Sequence, residues 1–166
     1  MRKKIYPRDE LTELLEARRC DVPVLRVVFT NGCFDLLHVG HLRYLWAARG
    51  LGDTLVVATN DDASLTRLKG PERPILKLQE RLELLAGLAC VDYVTWFDED
   101  TPIPLLQALK PEVLVKGGNY TIEGVVGRRE AESWGAQVLT IAPTEAQSST
   151  HLIEKVLAAC GASGAI

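Results

Sequence analysis

Val24-Leu25-Arg26-Val27-Val28-Phe29 leads into Thr30-Asn31-Gly32, an apolar run interrupted by one arginine and stopped by a polar turn. Apolar residues at successive rather than alternate positions fit a strand buried on both faces, as in a parallel sheet covered by helices. Runs of the same type return at 54–59, 93–97, 113–115 and 138–141. Helical periodicity fills the intervals, at about 39–50, 62–68, 78–88, 102–109, 124–134 and 149–160. Ahead of the first strand, Leu11, Leu14 and Leu15 lie at helical spacing among charges and predict a short amphipathic helix over 9–19. Strand and helix in alternation predict an α/β fold, a doubly wound parallel sheet of about five strands.

The 166 residues suit a single domain. With 47% hydrophobic and 25% charged residues the chain packs a core, which excludes a disordered or fibrous protein. Nineteen basic residues against 22 acidic ones leave a net charge of −3. No overall positive field therefore draws in nucleic acid or an anionic membrane, and an anionic ligand must be held by local groups. Met1-Arg2-Lys3-Lys4 is followed by Pro7, Arg8, Asp9 and Glu10 instead of an apolar stretch, so no signal peptide is expected. No apolar run approaches the ~20 residues of a membrane span, and a cytoplasmic protein is expected. Cys20, Cys33, Cys90 and Cys160 form no CxxC pair and read as reduced thiols, Cys90 and Cys160 as small core residues.

In Rossmann-like sheets of this kind, ligands bind beyond the carboxyl ends of the strands, where the winding direction reverses. That nominates the loops after Phe29, Thr59, Val115 and Ile141. The first reads Thr30-Asn31-Gly32-Cys33-Phe34-Asp35-Leu36-Leu37-His38-Val39-Gly40-His41. Gly32 allows a tight turn or a close backbone approach, and the helix that follows aims its amide dipoles at the turn, so an anion site is expected. His38 and His41, three apart, fall on nearly the same helical face, with Gly40 between them removing bulk. The pair admits three readings: structurally satisfied histidines, a metal site with Cys33, or two donors to phosphate oxygens. No fourth metal ligand stands at short spacing, and the phosphate reading is the strongest. Neither the phosphate-loop NTPase pattern nor the Gly-x-Gly-x-x-Gly fingerprint occurs, so the nucleotide site is of another kind.

This segment resembles the signature of the His-x-Gly-His nucleotidyltransferase superfamily. Together with Leu68-Lys69-Gly70-Pro71-Glu72-Arg73-Pro74, Val115-Lys116-Gly117-Gly118-Asn119-Tyr120 and Ser148-Ser149-Thr150, it is most similar to the heptose 1-phosphate adenylyltransferases of ADP-heptose synthesis. The likeness runs over about residues 25–156. An N-terminal helical extension at 1–24, a nucleotidyltransferase domain at 25–160 and a frayed, Gly-rich tail at 161–166 are expected. The likeness implies adenylyl transfer from ATP, with Mg2+, to a heptose 1-phosphate, giving ADP-heptose and pyrophosphate. Two alternatives stand beside it: a cytidylyltransferase for a glycerol phosphate or another sugar phosphate, and a nucleotide-binding regulator without turnover. A stand-alone enzyme served by a separate sugar kinase and phosphatase is expected, and a homodimer is compatible with it.

By the same resemblance, His38 and His41 contact the ATP phosphates and stabilise charge in the transition state. Thr30 and the backbone of Asn31 to Phe34 cradle the α-phosphate region. Asp35 is either a donor-orienting or magnesium-assisting carboxylate or an ordinary turn cap. Lys69, Arg73 and Arg81 stand in and after a loop, 69–76, that Gly70, Pro71 and Pro74 keep irregular and that could close over substrates. Each of these cations is either a phosphate contact or solvated surface. Lys116 and Gly117 belong at the sugar or base end of the crevice, and Ser148, Ser149 and Thr150 bind phosphate while capping the last helix. Asn119 stands where the family often has Asp and is expected to accept hydroxyl donors of the sugar or ribose. No tightly bound metal is expected, and Cys33 is not expected to be a covalent nucleophile.

Overall fold

Val27 and Phe29 face one side of the sheet and Val28 the other, and all three are fully buried. The computed structural model describes residues 3–118, 120–142 and 149–161. Its five strands are β1 (Val27–Gly32), β2 (Thr54–Asn60), β3 (Tyr93–Phe97), β4 (Val113–Gly117) and β5 (Gln137–Ile141). All pair in parallel, in the order β3-β2-β1-β4-β5. The helices are α1 (Arg8–Asp21), α2 (Val39–Arg49), α3 (Asp62–Lys69), α4 (Leu78–Gly87), α5 (Ile103–Leu109), α6 (Arg128–Ser133) and α7 (Ser149–Ala159). None of the described helices is long and apolar enough to cross a membrane.

Two cores form because every central strand alternates between faces. On one side Phe29, Val56, Ala58 and Leu114 pack with Leu11 and Leu15 of α1, Leu105 and Leu106 of α5 and Ala131 of α6. On the other, Val28, Val57, Val113 and Val115 pack with Leu45 and Ala48 of α2 and Leu82 and Leu85 of α4. Residues expected as an N-terminal extension are thus part of the domain. Leu11 and Leu15 are wholly buried, each contributing about 1.5–3 kcal/mol, and Ile5 forms a parallel bridge to Val94.

Three other expectations are corrected. β1 begins at Val27, because Val24 is 88% exposed, and it continues through Thr30-Asn31-Gly32, whose partners in β2 are Val57, Ala58 and Thr59. The helix expected over 124–134 is shorter: a 3-10 turn at Ile122–Gly124 precedes left-handed Gly127, and α6 starts after it. Cys90 is buried as expected, whereas Cys160 is exposed at the end of α7. The tail residues 162–166 lie outside the described residues.

Candidate active site

The pairing of β1 with β4 stops at Phe29 and Leu114, and beyond that point the two strands part. The winding of the sheet reverses at the same place, with β2 and β3 on one side of β1 and β4 and β5 on the other. A crevice so formed is where open α/β sheets bind ligands, and a cavity of about 480 Å³ occupies it. Tyr44 of α2 stands in the split. Its hydroxyl donates to Val115 O at 3.1 Å and accepts from Thr30 Oγ1 at 2.5 Å, since it has one proton to give. Its ring lies over Gly117, where a Cβ would come within 2.7 Å of it.

His38 is the N-cap of α2 and His41 lies in its first turn. Their rings stack, centroids 3.8 Å apart and planes 26° apart. Gly40 permits this, because a Cβ there would meet the His38 ring at 3.0 Å. Of the two uses expected of Gly32 the structure shows the close approach, since a Cβ there would meet the Phe34 ring at 3.0 Å; the tight turn is made by Phe34, whose φ of 45° is left-handed and costly for a bulky residue. Its ring meets His41 edge-on at 5.2 Å. Nδ1 of each imidazole is buried without a hydrogen-bond partner. An orphaned buried polar atom costs ~1–3 kcal/mol, so the stacked arrangement is held against a cost to stability, as functional sites often are. Burial lowers the pKa of His38, and burial reinforced by the neighbouring His38 pushes that of His41 down to about 4. Both imidazoles are therefore neutral at pH 7.

Positive charge surrounds the pair. Arg43, Lys69, Arg73 and Lys116 line the cavity, and Asp35 is the one acidic side chain among the described lining residues. Lys116 crosses the split to donate to Asn31 O at 2.9 Å and Asn31 Oδ1 at 3.3 Å, with its Nζ 5.6 Å from the centre of the Tyr120 ring. Burial lowers its pKa. In a chain of net charge −3, this concentration is local and suits a polyanion. Among the described residues no group of three His, Cys, Asp or Glu side chains is placed to hold a metal ion.

The structure brings most of the expected residues together. Asn31 through Asp35 form one wall with His38, Gly40 and His41, and Lys116 and Gly117 form another. Ser149 and Thr150 also line the cavity, and Ser149 Oγ donates to Leu36 O at 3.0 Å, tying α7 to the turn. Lys69 and Arg73 stand on the β2 side with Asn60. Cys33 is half-buried, its Sγ 3.9 Å from Asn60 Oδ1, and burial raises its pKa. Ser148 and Asn119 lie outside the described residues.

Some expected residues stand elsewhere or are engaged differently. Thr30 is fully buried and its hydroxyl is taken by Tyr44, so it does not line the cavity. Arg81, expected among the phosphate contacts, is wholly buried and lies outside the lining. Its Nε donates to Leu76 O at 3.0 Å, and its Nη2 to Asp62 at 2.8 Å. Its Nη1 donates to Cys33 O, Thr59 Oγ1 and Asn60 O at 3.0, 2.7 and 2.8 Å. Asp35 accepts from Arg73 Nε at 2.5 Å and from the backbone N–H groups of Ile75 and Leu76 at 2.8 and 3.0 Å. Its oxygens are thus occupied by N–H donors of loop 69–76, the arrangement expected of the donor-orienting reading. Sequence reasoning missed Tyr44 and Asn60. Tyr44 lies one helical turn beyond His41, and Asn60 ends β2 where the topology already nominated a loop, so position alone could have found both.

A family model described as cytidylyltransferase-like matches residues 29–155. The bifunctional protein HldE of Geobacter sulfurreducens is 57% identical over 136 residues, 82% of this chain and 28% of that protein. The bifunctional protein HldE of Trichlorobacter lovleyi is 54% identical over 154 residues, 93% of this chain and 31% of that one. The chain thus spans between 28% and 31% of the length of these curated relatives. Among solved structures, the lipopolysaccharide core biosynthesis protein from Thermoplasma volcanium superposes with a TM-score of 0.63 at 28% identity, covering 73% of this chain and 99% of its own. Pantoate-beta-alanine ligase from Francisella tularensis gives a TM-score of 0.58 over 89% of this chain and 69% of its own; at 16% identity it shows a shared fold alone.

Proposed function

The chain belongs to the cytidylyltransferase-like family and is a nucleotidyltransferase, and from that premise we propose that it transfers the adenylyl group of ATP to a heptose 1-phosphate, yielding ADP-heptose and pyrophosphate. The observation that carries the chemistry is the stacked His38–His41 pair in the lining of a cavity that also carries four cationic side chains. The choice of a heptose phosphate is supported by the identity of 54–57% to HldE proteins over most of this chain.

In the proposed reaction an oxygen of the acceptor phosphate attacks the α-phosphorus of ATP, a new P–O bond forms, and the bond to the β-phosphate oxygen breaks opposite to it. Both electrons of that bond leave with pyrophosphate. No protein atom needs to bond to phosphorus, so positioning and charge stabilisation are what the chain supplies. The neutral imidazoles donate to phosphate oxygens as negative charge builds there, and the anion in turn favours their protonated forms. The crevice side built by Lys116, Gly117, Ser149 and Thr150 takes the nucleotide, while Lys69 and Arg73 on the β2 side meet the acceptor phosphate. Magnesium enters with the triphosphate and leaves with pyrophosphate, as part of substrate and product.

A pyrophosphate-release assay over the four nucleoside triphosphates, against a panel of sugar and polyol phosphates, tests this reading. ATP with a heptose 1-phosphate should give the highest kcat/KM. A preference for CTP with glycerol phosphate would replace both substrates, and tight nucleotide binding without pyrophosphate release on any acceptor would leave a regulator.

A further inference from the structure

Loop 69–76 is gripped along half of its length. Arg73 Nε and the N–H groups of Ile75 and Leu76 all donate to Asp35. Thr66 Oγ1 donates to Arg73 O at 2.6 Å. Arg81 Nε donates to Leu76 O, and the same guanidinium holds Cys33 O through Nη1, each at 3.0 Å. Leu76 is therefore held by its N–H and its carbonyl at once, by two side chains that are 1% and 0% exposed. The other half differs. Gly70 is still tied, its N–H donating to Thr66 O at 2.9 Å and its carbonyl accepting from Arg73 N–H at 3.2 Å, but Pro71 and Glu72 beyond it are exposed.

We propose that Asp35 and Arg81 are positioning residues, which clip Leu76 to the turn after β1 and so fix Arg73 on the acceptor side of the cavity, leaving Pro71 and Glu72 as the part of the loop that can move. The inference rests on the reading of Arg73 as a contact of the acceptor phosphate. The geometry suits that task. Asp35 takes Nε, the guanidinium nitrogen nearest the stem, and the two terminal nitrogens have no partner among the described residues. An arginine on a free loop would lose rotamer and backbone freedom on every binding event, and one already ordered by a buried carboxylate does not. The carboxylate also balances the guanidinium charge between turnovers, so the side chain is held without a ligand present.

Amide hydrogen exchange and two-substrate kinetics test the clip together. In Asp35→Ala, which removes the oxygen that accepts from both amides, those of Ile75 and Leu76 should exchange at least about tenfold faster, while those of Val56 and Val57 in β2 keep their protection. The KM for the acceptor should rise about tenfold in Asp35→Asn and in Arg73→Ala, and scarcely further in the double variant, with the KM for ATP moving less than about threefold. Arg73→Ala, a rim change that leaves the backbone bonds to Asp35 in place, should keep Ile75 and Leu76 protected. Unchanged exchange at those two amides in Asp35→Ala, or losses that add in full in the double variant, would overturn the clip. Loss of protection throughout β2 would also overturn it, by making Asp35 a support of the whole fold. If the wild-type protein does not use a heptose 1-phosphate, the acceptor reading fails instead, and the exchange result still decides the clip.

Discussion

A neutral imidazole has one N–H to give, and it is worth most where charge is growing. His38 and His41 line the cavity, and burial keeps both rings neutral there. His38→Ala and His41→Ala should therefore each lower kcat by about a hundredfold to a thousandfold, ~2.7–4 kcal/mol, and change the KM for ATP little. Steady-state rates at varied ATP check this, and a variant with near-normal kcat would remove that imidazole from the chemistry. Tightly bound zinc, one per chain and lost with either histidine, would point to a metal site instead. Cys33 carries the opposite expectation. Burial raises its pKa, so little thiolate is present near neutrality, and in-line transfer uses no covalent intermediate. Cys33→Ser should keep most of the activity, and a trapped nucleotide on Cys33 would refute direct transfer.

Between elements, the decisive feature is the split between β1 and β4, which Tyr44 wedges from α2. Tyr44→Phe keeps the ring over Gly117 but leaves Thr30 Oγ1 and Val115 O short of a partner. It should lower the unfolding free energy by ~1–3 kcal/mol in urea titrations. Gly117→Ala places a methyl where Tyr44 already stands, and overpacking of that kind should cost ~1–3 kcal/mol. Wild-type stability in both variants would mean that the wedge supports nothing. These contacts also show what was legible in the sequence. The five strands were, because continuous apolar runs report burial on both faces. The extension of β1 through Asn31 and Gly32 was not, because backbone pairing with β2 leaves no mark on residue type. The His38–Gly40–His41 arrangement was legible for the same reason that Arg81 was not. The histidines lie within one helical turn of each other, whereas Arg81 is defined by the nearby carbonyl of Leu76 together with carbonyls from two distant segments, at Cys33 and Asn60.

For the molecule as a whole, the depressed pKa of His41 links the site to folding. In the folded chain this group stays neutral until the pH approaches about 4, while in the unfolded chain it takes up a proton near its ordinary value of ~6.5. Between those limits the unfolded state binds more protons, so acid favours unfolding. The contribution is complete above about pH 6.5 and disappears as the pH falls toward 4, and it amounts to at most about 3 kcal/mol. Carboxylates titrate over the lower part of the same range, so the quantity to follow is the difference between the wild-type protein and His41→Gln. Urea unfolding from pH 7 to pH 4 should show the wild type losing stability faster than the variant, with most of the divergence between pH 6.5 and 4.5. ATP should reduce that divergence, because a triphosphate beside His41 favours the imidazolium that burial disfavours. Parallel stability curves for the two proteins would show that His41 titrates normally when folded, and the picture of a desolvated imidazole pair held in readiness for negative charge would fail with it.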